Sequence, residues 1–152
     1  MADYIKTIRQ KIGHDMLIMA GAAVIVYHAG EVLLQRRLDN GLWAMHGGAI
    51  EVGEAAEETA RRELFEETGL VADKLELLNV FSGKEAFHTY PNGDQVCNVT
   101  IQYVCREFSG ELSPQENEVS ELRWFRLDGL PEELSRQTRW QLMAFCEHLK
   151  EI

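Results

Sequence analysis

The chain has 152 residues, 45% apolar and 26% charged, with 25 Asp and Glu against 15 Lys and Arg and a formal net charge of −10. That length and balance suit one globular domain spanning residues 1–152, and no apolar run reaches the 18 residues that would signal a membrane span. The acidity argues against contact with long nucleic acid, whose phosphates are met by Lys and Arg, while leaving a single nucleotide open, because a metal ion can supply positive charge.

In chain order, the opening MADYIKTIRQKIGHDMLIM lacks the basic start and apolar core of a secretion signal. Its Ile5, Ile8 and Ile12 predict a short amphipathic helix over about residues 3–12 that packs on the domain. GAAVIVYH and EVLLQRRL flank Ala29-Gly30 and predict a hairpin. A helix follows over about 54–68, rich in Ala, Glu, Leu and Arg, with Gly69 as its left-handed stop. LELLNVFSG and AFHTY read as extended, Pro91-Asn92-Gly93-Asp94 as a tight turn, and QVCNVTIQYVCREF as the clearest strand. ELRWFRL gives another strand, and residues 131–150 a terminal helix with Pro131 in its first turn and Leu134, Leu142, Phe145 and Leu149 facing the core. Mixed strands with helices on both sides predict an α/β/α sandwich around a mixed β-sheet. Cys97, Cys105 and Cys146 are odd in number and lack metal-ligand spacing, so they read as buried, reduced thiols of a cytoplasmic protein.

The central helix carries the chemistry. Its end, RELFEETG, puts Glu63, Glu66 and Glu67 within roughly a 100° arc at about 100° per residue. That arc borders the apolar face of Ala56, Ala60 and Leu64 rather than opposing it. Glu57 and Glu58 each have an Arg four residues on. Glu63 and Glu67 instead repel at i and i+4, at a cost of roughly 0.2–0.5 kcal/mol. Half-buried carboxylates short of cations call for a counter-ion, and oxygen-only ligation suits Mg²⁺ or Mn²⁺. Geometry alone leaves a metal site and a solvated acidic patch both open.

The wider spacing runs Gly48, five residues, Glu54, seven residues, Arg62-Glu63-Leu64, one residue, Glu66-Glu67, one residue, Gly69-Leu70. It resembles the box of the Nudix (MutT-like) hydrolase family at every defined position of residues 48–70. GAAVIVYHAGEVLLQRR before the box and ELRWFRLDGLP after it look like the same family. The resemblance implies an α/β/α fold and a phosphohydrolase that cuts a nucleoside diphosphate linked to another moiety, such as a nucleoside triphosphate or nucleotide sugar. It also implies Glu63, Glu66 and Glu67 as metal ligands for Mg²⁺, with Mn²⁺ as a substitute and a carbonyl at Gly47 or Gly48 as a further donor. Arg62 would orient the carboxylates by pairing with Glu54, and Gly48 and Gly69 would serve the backbone turns. The general base would be a box carboxylate or a glutamate of the SPQENEVSE loop, Glu116, Glu118 or Glu121, with Glu118 favoured. The alternative is a non-catalytic sensor or interaction domain of the same fold, but every box carboxylate that inactive relatives tend to lose is present.

One departure is His46, where many relatives have Pro before the paired glycines; imidazole then becomes a candidate contact. Other substrate candidates lie outside the box: Trp43, Phe87, His88 and Tyr90 to stack on a base, and Arg36 and Arg37 to meet a terminal phosphate. The Pro or Tyr that often marks relatives cutting ADP-ribose or dinucleoside polyphosphates would fall near Ala86 and is absent there. The expected partner is a small nucleotide, with no membrane; a homodimer is left open.

Overall fold

The computed structural model describes residues 3–151. Helix α1 (Asp3–Ile12) leads into β1 (Leu17–His28), which turns through Ala29 and Gly30 into β2 (Glu31–Arg37). Both turn residues have positive φ, 51° and 81°, the conformations with which a two-residue hairpin matches strand twist. Two short strands, β3 (Trp43–Ala44) and β4 (His46–Ala49), precede α2 (Ala56–Thr68). Then come β5 (Val71–Phe81), a single 3-10 turn at Lys84–Ala86, β6 (Phe87–Thr89), β7 (Gln95–Ser109), β8 (Val119–Arg126) and α3 (Arg136–Lys150).

The strands form one mixed sheet with the path β3-β2-β1-β7-β5, and β1 is its branch point. One edge of β1 runs parallel to β7 from Leu17 to Val26. On the other edge, Gly21 to Val24 pair with β4, whereas only Tyr27 and His28 pair with β2. The sheet therefore forks, and β2, with β3 and β8 beside it, diverges from β4. Two buried side chains tie the fork together. His46 Nε2 donates to Leu33 O at 2.9 Å, and Gln35 Nε2 donates to Met45 O at 3.2 Å.

Alternation along β1 sends successive side chains to opposite faces, giving two cores. Ala60 and Leu64 of α2 pack on Ala22, Val24, Val26 and Leu33. Leu142 and Phe145 of α3 pack on Ile25, Val32, Leu34 and Trp43 across the sheet. This is the expected α/β/α layering, and Leu134 and Leu149 join the second core as expected. Ile5 of α1 is buried, while Ile8 and Ile12 are half-buried.

The terminal helix starts later than expected, at Arg136. Trp43 N–H donates to Glu133 O at 2.8 Å and Ser135 N–H to Trp43 O at 2.9 Å, so these backbone groups already serve β3 and cannot enter a helix. Ser135 then caps α3, accepting from Thr138 N at 3.2 Å. Of the thiols, only Cys105 is buried; Cys97 and Cys146 are half-buried and all three are free. Among the described residues no helix is long and apolar enough to cross a membrane.

Phe145 is fully buried and meets Tyr27 edge-on at 5.1 Å between ring centres. Phe145→Ala is expected to cost about 3–5 kcal/mol of unfolding free energy, measured by urea denaturation.

Candidate active site

The loop between β4 and α2, and the last turns of α2, meet at the fork. Gly47 lies so close to β1 that a Cβ there would stand 2.8 Å from Ala23 Cα, and one at Gly48 would stand 2.5 Å from the Glu63 carboxyl carbon. Any side chain at 48 would thus displace the Glu63 carboxylate from the β4 backbone. Glu67, only 5% exposed, accepts from Gln35 Nε2 at 3.0 Å and from Gly47 N–H at 2.9 Å. Burial, opposed by these hydrogen bonds, pushes its carboxyl up to about 8. Burial also raises Glu63, against the pull of Arg62. Gly69 ends α2 at φ 81°, its N–H donating to Phe65 O at 2.9 Å.

Arg62 spans the carboxylates. Its Nε and Nη2 grip the two oxygens of Glu54 at 2.8 and 2.9 Å, the bidentate geometry that makes guanidinium–carboxylate pairs strong. Nη1 reaches Glu63 at 2.8 Å and Glu66 at 3.5 Å. Thr59 Oγ1 donates to Glu54 at 2.5 Å. Led by the Arg62 hydrogen bonds, this set holds Glu54 down at about 2. Glu66 remains about half exposed.

Glu63 and Glu66 share a single guanidinium that Glu54 already engages twice, and Glu67 is held only by an amide and a backbone N–H, so negative charge is in excess. Among the described residues, no three acidic, His or Cys side chains converge closely enough to hold an ion as they stand; each box carboxylate is turned onto its protein partner. The donor set is nonetheless all oxygen, and Gly48 opens the space beside Glu63. Both features fit a hard divalent cation.

The other sequence candidates separate. The loop holding Glu118 is fastened to the end of α2, with Ser113 N–H donating to Thr68 O at 2.7 Å, and the Glu118 charge acts on Glu63. Glu121 sits on β8 paired with Arg123, and Glu116 is exposed. Trp43 and His46, expected among substrate contacts, are interior instead. Trp43 is 3% exposed, edge-on to Phe125, with the guanidinium groups of Arg36 and Arg123 over its ring. Arg36 is thus turned onto Trp43 and Gly41 O. His46 is fully buried, and burial drives its pKa down to about 4. A neutral ring donating Nε2–H to a carbonyl leaves Nδ1 without a proton, and Nδ1 has no partner. His46 thus pins the fork.

Arg37 pairs with Asp39 at 2.8 Å, and its charge acts on Glu67, His88 and Tyr90. His88 and Tyr90 meet edge-on at 4.6 Å. The Arg37 charge thus links these two rings electrostatically to Glu67 of the box. Residue reading passed over Gln35, which grips Glu67 from β2. The available signal was a lone amide in EVLLQRR, at a position where strand alternation turns it to the α2 face with Leu33.

A carboxylate-bearing helix entered and left through glycines, seated at the fork of a mixed sheet between two helical layers, defines a Nudix-type hydrolase. The chain belongs to the Nudix hydrolase family: the NUDIX domain matches residues 17–146. It is 34% identical over 108 residues to MutT4 of Mycobacterium tuberculosis, covering 71% of this chain and 42% of that protein. It is 33% identical over 110 residues to the NAD-capped RNA hydrolase NudC of Pseudomonas aeruginosa, covering 71% of this chain and 36% of that one. The chain thus spans well under half the length of these curated relatives. A crystal structure of a MutT NUDIX hydrolase from Burkholderia pseudomallei superposes with a TM-score of 0.72 at 29% identity, covering 84% of this chain and 98% of that one.

Glu54 yields a pH prediction. Its carboxyl is held at about 2 against an ordinary 4.5, so its contribution to stability is complete above about 4.5 and is lost as pH falls toward 2. Melting temperatures of wild type and Glu54→Gln should differ at neutral pH, with the wild type higher, and converge across that acid window.

Proposed function

We propose that the chain is a Mg²⁺-dependent phosphohydrolase that cleaves the diphosphate linkage of a small nucleotide, a nucleoside diphosphate joined to further phosphate or to a sugar. The observation that carries this reading is the Glu63 carboxylate seated over Gly48, beside a buried Glu67 hydrogen-bonded to Gly47. Glu63, Glu66 and Glu67, with the carbonyl of Gly48, would hold Mg²⁺, and Mn²⁺ would substitute in the same oxygen set. Bound there, the cation would neutralise phosphate charge and acidify a water.

The chain's own residues do the rest. Arg62, anchored by Glu54, would keep Glu63 and Glu66 turned toward the loop. Glu118 would take the proton as water oxygen attacks phosphorus, and the bond from that phosphorus to the bridging oxygen breaks, its electron pair staying on the bridging oxygen of the leaving phosphate. Arg37, whose charge reaches both Glu67 and Tyr90, would meet a phosphate away from the scissile bond. The Tyr90 ring would stack on the base, a contact worth roughly 1–3 kcal/mol. The net charge of −10 favours a small nucleotide over RNA. The NudC relatives are named for NAD-capped RNA, so NAD and a capped RNA belong in the test.

That test measures phosphate and nucleotide release from nucleoside triphosphates, nucleotide sugars, ADP-ribose, dinucleotides, NAD and NAD-capped RNA, with Mg²⁺ and with Mn²⁺. One small nucleotide cleaved well above the rest is expected. No turnover of any of them by folded protein would sink the reading in favour of a nucleotide sensor.

Glu67→Gln should lower kcat on the order of 10²–10³-fold, the scale of losing one electrostatic contact to developing charge. Mg²⁺ should raise the melting temperature of the wild type and leave that of the variant unmoved. With the Glu67 carboxyl held up at about 8 from an ordinary 4.5, ionising it opposes the fold. Metal-free wild type should therefore lose stability as pH rises from about 4.5 to 8, and Glu67→Gln should lack that slope.

A further inference from the structure

Helix α1 lies before the matched segment, which begins at residue 17, yet its Arg9 side chain is only 11% exposed. Arg9 Nη1 donates to Gly13 O at 2.9 Å and Asp15 O at 2.7 Å, and Nη2 donates to Gln95 O at 2.8 Å. Nε lies 3.6 Å from Asp94 Oδ2. The Asp94 carboxylate, 13% exposed, also meets His14 Nδ1 at 2.7 Å and accepts from Asn92 Nδ2 at 3.2 Å. Gln95 Nε2 donates back to His14 O at 3.4 Å. One guanidinium thus joins the end of α1 to the first residue of β7, in a setting far drier than that of an ordinary surface ion pair.

The turn it holds is the one that carries Tyr90. Tyr90 N–H donates to Asp94 O at 2.8 Å, and Gly93 N–H donates to Tyr90 O at 2.9 Å. Arg9 and His14 grip one end of this turn, and Tyr90 stands at the other. Burial raises the Tyr90 hydroxyl pKa, and the charges of Arg37, Asp39, Arg9 and Asp94 all act on it. The clamp and the Arg37–Asp39 pair therefore both bear on this ring.

We propose that Arg9 is a positioning residue for substrate: by fastening α1 to Asp94 and Gln95 it sets where Tyr90 stands, and so how tightly the base end of a nucleotide is held. The inference rests on the reading that Tyr90 meets the base. Fixing a backbone residue costs conformational entropy. A turn already ordered by Arg9 spares nucleotide binding that cost, whereas a loose turn meets it at each binding event. The loss should fall on ground state and transition state alike, raising KM and leaving kcat.

The experiment compares wild type, Arg9→Met, Tyr90→Ala and the double variant on a nucleoside triphosphate and on inorganic triphosphate, which has no base. Arg9→Met keeps the aliphatic stem and removes the fork of donors. Expected are a KM for the nucleotide raised about tenfold with kcat within about twofold, and an unchanged KM for inorganic triphosphate. The Arg9→Met and Tyr90→Ala effects should not add in the double variant, because they act through one contact. Amide exchange at Tyr90 and Gly93 should quicken in Arg9→Met. Asp94→Asn, which weakens the same clamp from its other side, should repeat the pattern and serves if Arg9→Met does not fold. Equal KM changes on both substrates, or additive effects, would overturn the inference, as would a nucleotide KM indifferent to Arg9→Met in a protein whose KM responds to Tyr90→Ala. A nucleotide KM indifferent to Tyr90→Ala, or no nucleotide turnover by wild type, would overturn the underlying reading and the inference with it.

Discussion

The pairing of β4 with β1 is the contact on which the rest of the molecule depends. Gly47 and Gly48 lie against Ala23 and Ala22, at a distance from β1 that leaves no room for a Cβ at 47. Because β4 occupies this edge of β1, β2 can join only at its far end, and the sheet must fork. The fork brings Gln35 from β2, Gly47 from β4 and Glu67 from α2 within hydrogen-bond reach of one another. No single element could supply those three groups.

Within this frame, two glutamates thirteen residues apart are driven in opposite directions. Glu54 has two guanidinium bonds, a hydroxyl donor and the Glu51 backbone N–H, and these outweigh burial. Glu67 has an amide and a backbone N–H but no adjacent cation, and burial wins. The first carboxylate is a fastening for Arg62. The second is left short of positive charge, as are Glu63 and Glu66, which share what remains of that guanidinium. A site that gathers more carboxylates than it can neutralise is less stable than a solvated alternative, and it is suited to receiving a cation.

The box, the hairpin at Ala29-Gly30 and the helix ending at Gly69 were all legible, because each follows from local chemistry: residue spacing, positive φ and helix period. The start of α3 was not. Pro131 is a good first-turn residue, but the pairing of residues 133 and 135 with Trp43 is a long-range competition that no local propensity reports. His46 and Trp43 were misjudged for a related reason. Their side chains suit ligand contact equally well, and only the divergence of β2 from β4 closes both inside. The role of Arg9 carried no local signal, since the partners that define the clamp, Asp94 and Gln95, lie more than eighty residues away.

By itself, the sequence determined the family, the carboxylate-bearing helix and the layer architecture, because these are written in short-range patterns that repeat with the period of their elements. Tertiary structure alone decided which polar groups are dry, which carboxylates find a cation and which aromatic faces stay open. Those outcomes depend on how far apart the two arms of the sheet stand and on what packs over them. Burial and the electrostatic balance at a carboxyl are sums over neighbours drawn from the whole chain, and no window of sequence contains them.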